Sequence, residues 1–154
     1  MFNDASYSGP SGLPHPEADA QFYRDVPQRR LIAWLFDAVI IGTLALLILI
    51  GTLGFAAFIL PLVLVALSFV YRVFMLQTAS ATIGMRLVGI ELRDRRGLKF
   101  DRKTAIAHTL LYTIATILFP LQILSCYLMY SGRYGQGLHD MALGTTAINS
   151  PANY

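Results

Sequence analysis

The sequence predicts an all-α integral membrane helical bundle, with three or four membrane helices and a small cytoplasmic β-hairpin. Only 14% of the 154 residues are charged against 55% hydrophobic, and the mean hydropathy is +0.55. Soluble domains carry about 25% charged residues, so this chain has too few to cover a water-facing surface. Two apolar runs each reach the roughly 20 residues that a helix needs to cross hydrocarbon. Basic residues gather outside those runs and are missing from the turn between them, which orients the bundle.

Residues 1–26 are rich in Ser, Gly, Pro and acids, without a basic segment leading into an apolar core. They read as a disordered cytoplasmic tail rather than a signal peptide. The membrane domain is expected over 27–149, with a short tail over 150–154. Its first run, Leu31 to Ile50, follows Arg29 and Arg30 and carries Trp34 one turn in, where an interfacial aromatic belongs. The turn GTLG joins it to a second run, Phe55 to Leu76, as a helical hairpin in which Pro61 is tolerable.

Between Gln77 and Lys103 the composition changes. Arg86, Arg93, Arg95, Arg96, Lys99, Arg102 and Lys103 face only Glu91, Asp94 and Asp101. The positive-inside rule then places the N-terminus and this loop in the cytoplasm. Inside the loop, Val88, Ile90 and Leu92 alternate with Gly89, Glu91 and Arg93, and Asp94 to Gly97 suit a turn. LVGIELRDRRGLKF is therefore expected to form a β-hairpin, the alternative being an unstructured basic connector.

The third apolar stretch, Ala105 to Tyr130, is long for one span and short for two, and Pro120 divides it. One kinked helix would leave the C-terminus outside; two bent helices would return it. The terminal TTAI is a plausible strand for the cytoplasmic hairpin, which favours the return.

Charged residues inside apolar helices are the first candidates for function. Asp37 lies seven residues after Arg30, two helical turns, so the two share a face with Trp34 between them. Arg72 should lie at a similar depth in the second span, and an Asp37–Arg72 pair is the simplest neutralisation. Such a pair serves either as a proton or cation site or as a lock on helix register. His108, Thr109, Tyr112, Thr113 and Thr116 form one polar stripe, suited to proton shuttling or to plain helix packing. Gln122 and Ser125 repeat it weakly. Near the C-terminus, GQGLHDMALGT holds His139 and Asp140 among glycines. Neither they nor the single Cys126 shows the spacing of a metal site or of a nucleophile with its base. No enzyme, metal or cofactor is expected.

Three segments together resemble the RDD family of membrane proteins, named for one arginine and two aspartates. RRLIAWLFD is similar to that family's opening helix. SATIGMRLVGIELRDRRG is similar to its post-span motif, usually written GQTxGKRxxGIRVVDxxG, and GQGLHDMALGTTAI to its closing LHDxxxGTxVV. The resemblance covers about residues 27–149 and selects Arg30, Asp37 and Asp140. The chain departs from the pattern at Met85, where the family often has Lys, at Ala81-Thr82, and at His108 in place of an early Arg of the third helix. It implies a multi-pass protein of the bacterial inner membrane. Some members are linked to cation/proton antiport, and the buried charges themselves point to transport of a cation, proton or small solute, with Asp37 and Asp140 as protonatable groups beside Arg30 or Arg72. The alternative is a non-catalytic scaffold or assembly factor whose basic loop binds a partner. Expected partners are the bilayer, anionic headgroups at that loop, and further copies or another membrane protein, with no nucleic acid.

Overall fold

The computed structural model describes residues 12–151. Helix α1 runs over Val26–Gly51, with Pro27 in its first turn, where a missing N–H removes no helical bond. A turn through Gly54, which takes φ +88°, and a short 3-10 segment, Phe55–Ile59, lead into α2, Leu60–Ala79. Pro61 falls in the first turn of α2 rather than inside the helix, so it breaks no hydrogen bond. Both helices are long and apolar enough to cross a membrane, with mean hydropathies of 2.4 and 2.3. Their outward side chains are bare: Val39 on α1 and Leu62 on α2 are 68% and 66% exposed. Such apolar faces suit lipid as solvent.

The chain leaves α2 at Ser80, in the left-handed region at φ +54°, and makes a one-turn helix α3, Ile83–Leu87, before strand β1, Ile90–Arg93. The expected turn at Asp94–Gly97 is present: the Gly97 amide donates to the Asp94 carbonyl, and Asp94 Oδ1 accepts from the Arg96 and Leu98 amides. The expected hairpin is not. Residues 98–100 form no strand, and β1 pairs instead, antiparallel, with β2, Thr146–Asn149, from Ile90 opposite Asn149 to Arg93 opposite Thr146. The hairpin's second arm is diverted because the Phe100 amide donates to Ser80 Oγ at 2.6 Å while its ring is buried. The TTAI strand does reach the loop as expected.

The third apolar stretch is two helices. Asp101 caps α4, Arg102–Ile117, and α5 covers Phe119–Ser131 with Pro120 in its first turn. They meet at a 116° bend. At a rise of 1.5 Å per residue neither reaches the roughly 30 Å of a hydrocarbon core. The two long helices thus make two candidate spans, or three with the bent pair as one. A short helix α6, Leu138–Leu143, then precedes β2, so the chain's last strand lies at the same end of the molecule as the 77–101 loop.

Residues 12–25 differ from the tail expected over 1–26. Leu13 and Phe22 are buried, Tyr23 donates to the Pro14 carbonyl at 2.8 Å, and Asn149 donates to the carbonyls of Gln21 and Arg24. Polar composition hid two apolar anchors, and the 3-10 turn Ala20–Phe22 that holds the second packs against β2. The rest of that tail, residues 1–11, and residues 152–154 lie outside the described residues. The apolar core sits at this end, where Val26, Leu76, Ile90, Leu92, Phe100 and Ala147 pack together.

Candidate functional site

The three family-named residues do not form one site. Arg30 and Asp37 share the inward face of α1, two turns apart, and each is claimed by a different partner element.

Asp37, 1% exposed, sits against the start of α3. Its Oδ1 accepts from the Tyr71 hydroxyl at 2.7 Å and the Gly84 amide at 2.9 Å, and its Oδ2 from the Thr82 hydroxyl at 2.7 Å. Thr82 is itself the N-cap of α3, accepting from the Met85 amide. Close approach requires glycine here. A Cβ on Gly84 would lie 2.1 Å from the Ala33 carbonyl oxygen and 2.8 Å from Asp37 Oδ1. The expected Asp37–Arg72 ion pair is absent among the described residues. Uncharged donors satisfy Asp37, and Arg72 turns toward α4, its guanidinium 4.3 Å from the centre of the Tyr112 ring. Hydrogen bonds from two hydroxyls and an amide can stabilise a buried carboxyl group without a counter-charge.

Asp140, wholly buried, is the hub of the second cluster. Arg30 Nη1 donates to its Oδ2 at 2.6 Å, and His108 Nε2 bonds its Oδ1 at 2.8 Å. The Gly137 amide and the Thr145 hydroxyl complete its shell at 3.0 and 3.2 Å. Arg30 also donates to the Gly135 carbonyl, at 3.2 Å. Three elements are thereby pinned by one carboxylate: α1 through Arg30, α4 through His108, and the α6 turn through its own backbone. Burial alone would raise this carboxyl's pKa. The adjacent Arg30 charge and the His108 bond outweigh it and hold the group well below the usual carboxylate range.

His139 stands beside them, 2% exposed, its ring edge-on to His108 with centroids 4.8 Å apart. Its Nε2 lies 3.3 Å from Arg30 Nη2. A guanidinium only donates, so Nε2 accepts and the ring proton sits on Nδ1. Burial outweighs the help of the neighbouring Asp140 and, with smaller contributions from His108, Arg30 and Arg72, depresses this imidazole to about 3. His139 is thus a neutral ring. Its place in the cluster was not apparent from the sequence, because His108 and Arg30, which define the cluster, lie far from it along the chain.

His108, His139 and Asp140 bring ligand atoms within 4.8 Å of one another, the donor types of a metal site. Arg30, however, bonds Asp140 and touches His139, so a permanent cation already occupies the place a metal would take.

The remaining polar stripe of α4 is partly self-satisfied. Thr113 and Thr116 donate to the carbonyls four residues back, as expected for packing threonines. Ser125 accepts from the Leu138 amide and so ties α5 to α6, whereas Gln122 is half-buried, reaching only Cys126 Sγ at 3.8 Å and leaving its Oε1 buried without a partner among the described residues.

No curated protein and no solved structure matches the chain. The model of one family, described as the RDD family, matches residues 26–144, from the start of α1 to the end of α6. With both aspartates and the arginine of its name holding the membrane helices to the polar end, this chain belongs to the RDD family of membrane proteins.

Proposed function

We propose that this protein moves a proton across a bacterial inner membrane in exchange for a cation, taking the proton up at the Arg30–His108–Asp140 cluster, with the N-terminal segment and the basic loop on the cytoplasmic side. The observation that carries this reading is a wholly buried carboxylate shared between a cation on α1 and an imidazole on α4. Arg30 and Asp140 cancel, so one added proton leaves a buried net positive charge. Burial of such a charge is unfavourable, and the cluster relaxes by separating α1 from α4 or by passing the charge on. Asp37 belongs to the scaffold of α3 rather than to the exchange. So few helices suffice for a pathway only as an oligomer. The reading invokes no bond-making chemistry.

Flux measurements in proteoliposomes test it. Wild type should dissipate an imposed pH gradient when sodium or potassium is supplied on the opposite side. Asp140→Asn and His108→Gln, inserted at equal density, should lose that flux, whereas folded Asp37→Asn should keep it. Wild-type vesicles without flux would sink transport. They would favour a second reading, a scaffold whose basic loop docks an acidic partner or anionic headgroups. What supports that reading is a shallow, net-basic cleft lined by Arg95, Arg96 and Lys103, with Asp94 paired to Arg96. Each basic residue near an anionic surface contributes about 1 kcal/mol.

A further inference from the structure

Arg72 is a cation without an anion. Its side chain is on α2 and 7% exposed, yet among the described residues it makes no ion pair, and its Nε has no hydrogen-bond partner. It lies on the face of the Tyr112 ring and offers Nη2 to the Tyr112 hydroxyl at a long 3.4 Å. That hydroxyl also accepts from Trp34 Nε1 at 3.1 Å. With two donors on its oxygen, the Tyr112 proton has no acceptor of its own here. Below the ring, 5.5 Å away centroid to centroid, stands His139, whose buried Nδ1 is likewise unpartnered. The charge of Arg72 acts on that ring. One turn back along α4, the buried Thr109 hydroxyl also lacks a partner.

The inventory is one-sided. Arg72 Nε, the Tyr112 hydroxyl proton and His139 Nδ1–H are donors that no carboxylate or carbonyl answers among the described residues, and Trp34 Nε1–H has only the Tyr112 oxygen. Buried donors are rarely left so, because each forgoes about 1–3 kcal/mol. The surplus is also positive, which favours an anion over a neutral acceptor. A guanidinium presents paired N–H groups matched to the oxygens of a phosphate. Trp34 is 47% exposed and Tyr112 half-buried, so the cluster opens sideways at the level of an interfacial tryptophan. We infer that Arg72, Tyr112 and Trp34 form a binding site for a phosphate-type oxyanion, entered from the membrane interface, whether free phosphate or the headgroup of an anionic phospholipid. This site is separate from the Arg30–Asp140 pair and stands whether or not the protein transports anything.

Trp34 is the one tryptophan of the chain, so its emission reports on the site directly. The full-length protein is held in maltoside micelles, which contain no phosphate, and titrated with inorganic phosphate, with phosphatidylglycerol, or with chloride at matched ionic strength. A saturable change in emission is expected with phosphate, with phosphatidylglycerol or with both, and none with chloride. Saturation by phosphate identifies a soluble oxyanion as sufficient; saturation by the lipid alone identifies the headgroup. Arg72→Gln, checked for an unchanged circular dichroism spectrum, should weaken the response about tenfold or more. Should that variant not fold, Arg72→Lys keeps the charge, removes the paired donors and should weaken it as well. No saturable response to either phosphate source, an equal response to chloride, or full retention in the folded Arg72 variant would overturn the site.

Discussion

Two buried aspartates, 1% and 0% exposed, do different work because their partners differ in charge. Asp37 accepts only from neutral donors, so Asp37→Asn puts an amide N–H₂ where an acceptor stood. Its remaining oxygen can face Tyr71 and the Gly84 amide, which sets the N–H₂ against the Thr82 hydroxyl, and that hydroxyl must then turn from donor to acceptor while it also caps α3. We expect a loss of about 1–3 kcal/mol, read from chemical denaturation in detergent, with Asp37→Ala costing more. Asp140→Asn instead strands the Arg30 charge in a buried setting, and a loss of about 3–5 kcal/mol is expected by the same measurement. His139 adds a pH dependence. Its imidazole titrates at about 3 in the folded chain and near about 6.5 when unfolded, so between these values only the unfolded chain takes up the proton. Stability is therefore full above pH 6.5 and falls as the pH drops through that window, by at most about 1.4 kcal/mol per unit. The depressed Asp140 carboxyl acts in the same direction at lower pH, its contribution fading as the solution approaches its folded titration. A melting midpoint that declines from pH 6.5 to 4.5 in wild type should decline less in His139→Gln, which keeps an acceptor for Arg30. Equal slopes would show that His139 does not carry the effect.

Among the elements, α3 is the one held by the least of its own material. One turn of helix is not stable alone, so it depends on Asp37 and on Gly84 lying against the Ala33 carbonyl. Gly84→Ala should consequently cost about 2–4 kcal/mol although alanine is the better helix former. A midpoint within error of wild type would refute the close docking. The elements also show what a sequence can disclose. Spans α1 and α2 were legible because about 20 contiguous apolar residues have few other uses. The Asp94–Gly97 turn was legible because it is local. The partner of β1 was half legible: TTAI was expected to reach the hairpin, but local alternation could not show that it would take the place of residues 98–100 opposite β1. Likewise the spacing of Arg30 and Asp37 located their shared face and said nothing of Asp140 or α3 as their separate partners. The bend between α4 and α5 was half visible: Pro120 marked the break, and only the pairing of β2 with β1 decides where the chain goes afterwards.

For the whole molecule, all polar machinery lies at one end, where the N-terminal segment, α3, the two-stranded sheet and α6 cover the ends of α1, α2 and α4. Reporter fusions after residue 24 and after residue 151 should accordingly report the same side of the membrane, and one fused within the Gly51–Gly54 turn the opposite side. Opposite sides for the two termini would require the bent α4–α5 pair to cross as one span, at odds with the pairing of β2 with β1. The sheet also sets an order of events during synthesis. Residues 138–149 emerge after every membrane helix, yet they bring the Asp140 that answers Arg30 and the strand that completes β1. Until then Arg30 waits at the end of an inserted helix with its natural counter-ion still unmade. A ribosome stalled before residue 138 would therefore expose a helical hairpin with a bare charge and an open strand edge, a form that membrane proteases and assembly chaperones can tell from the finished protein.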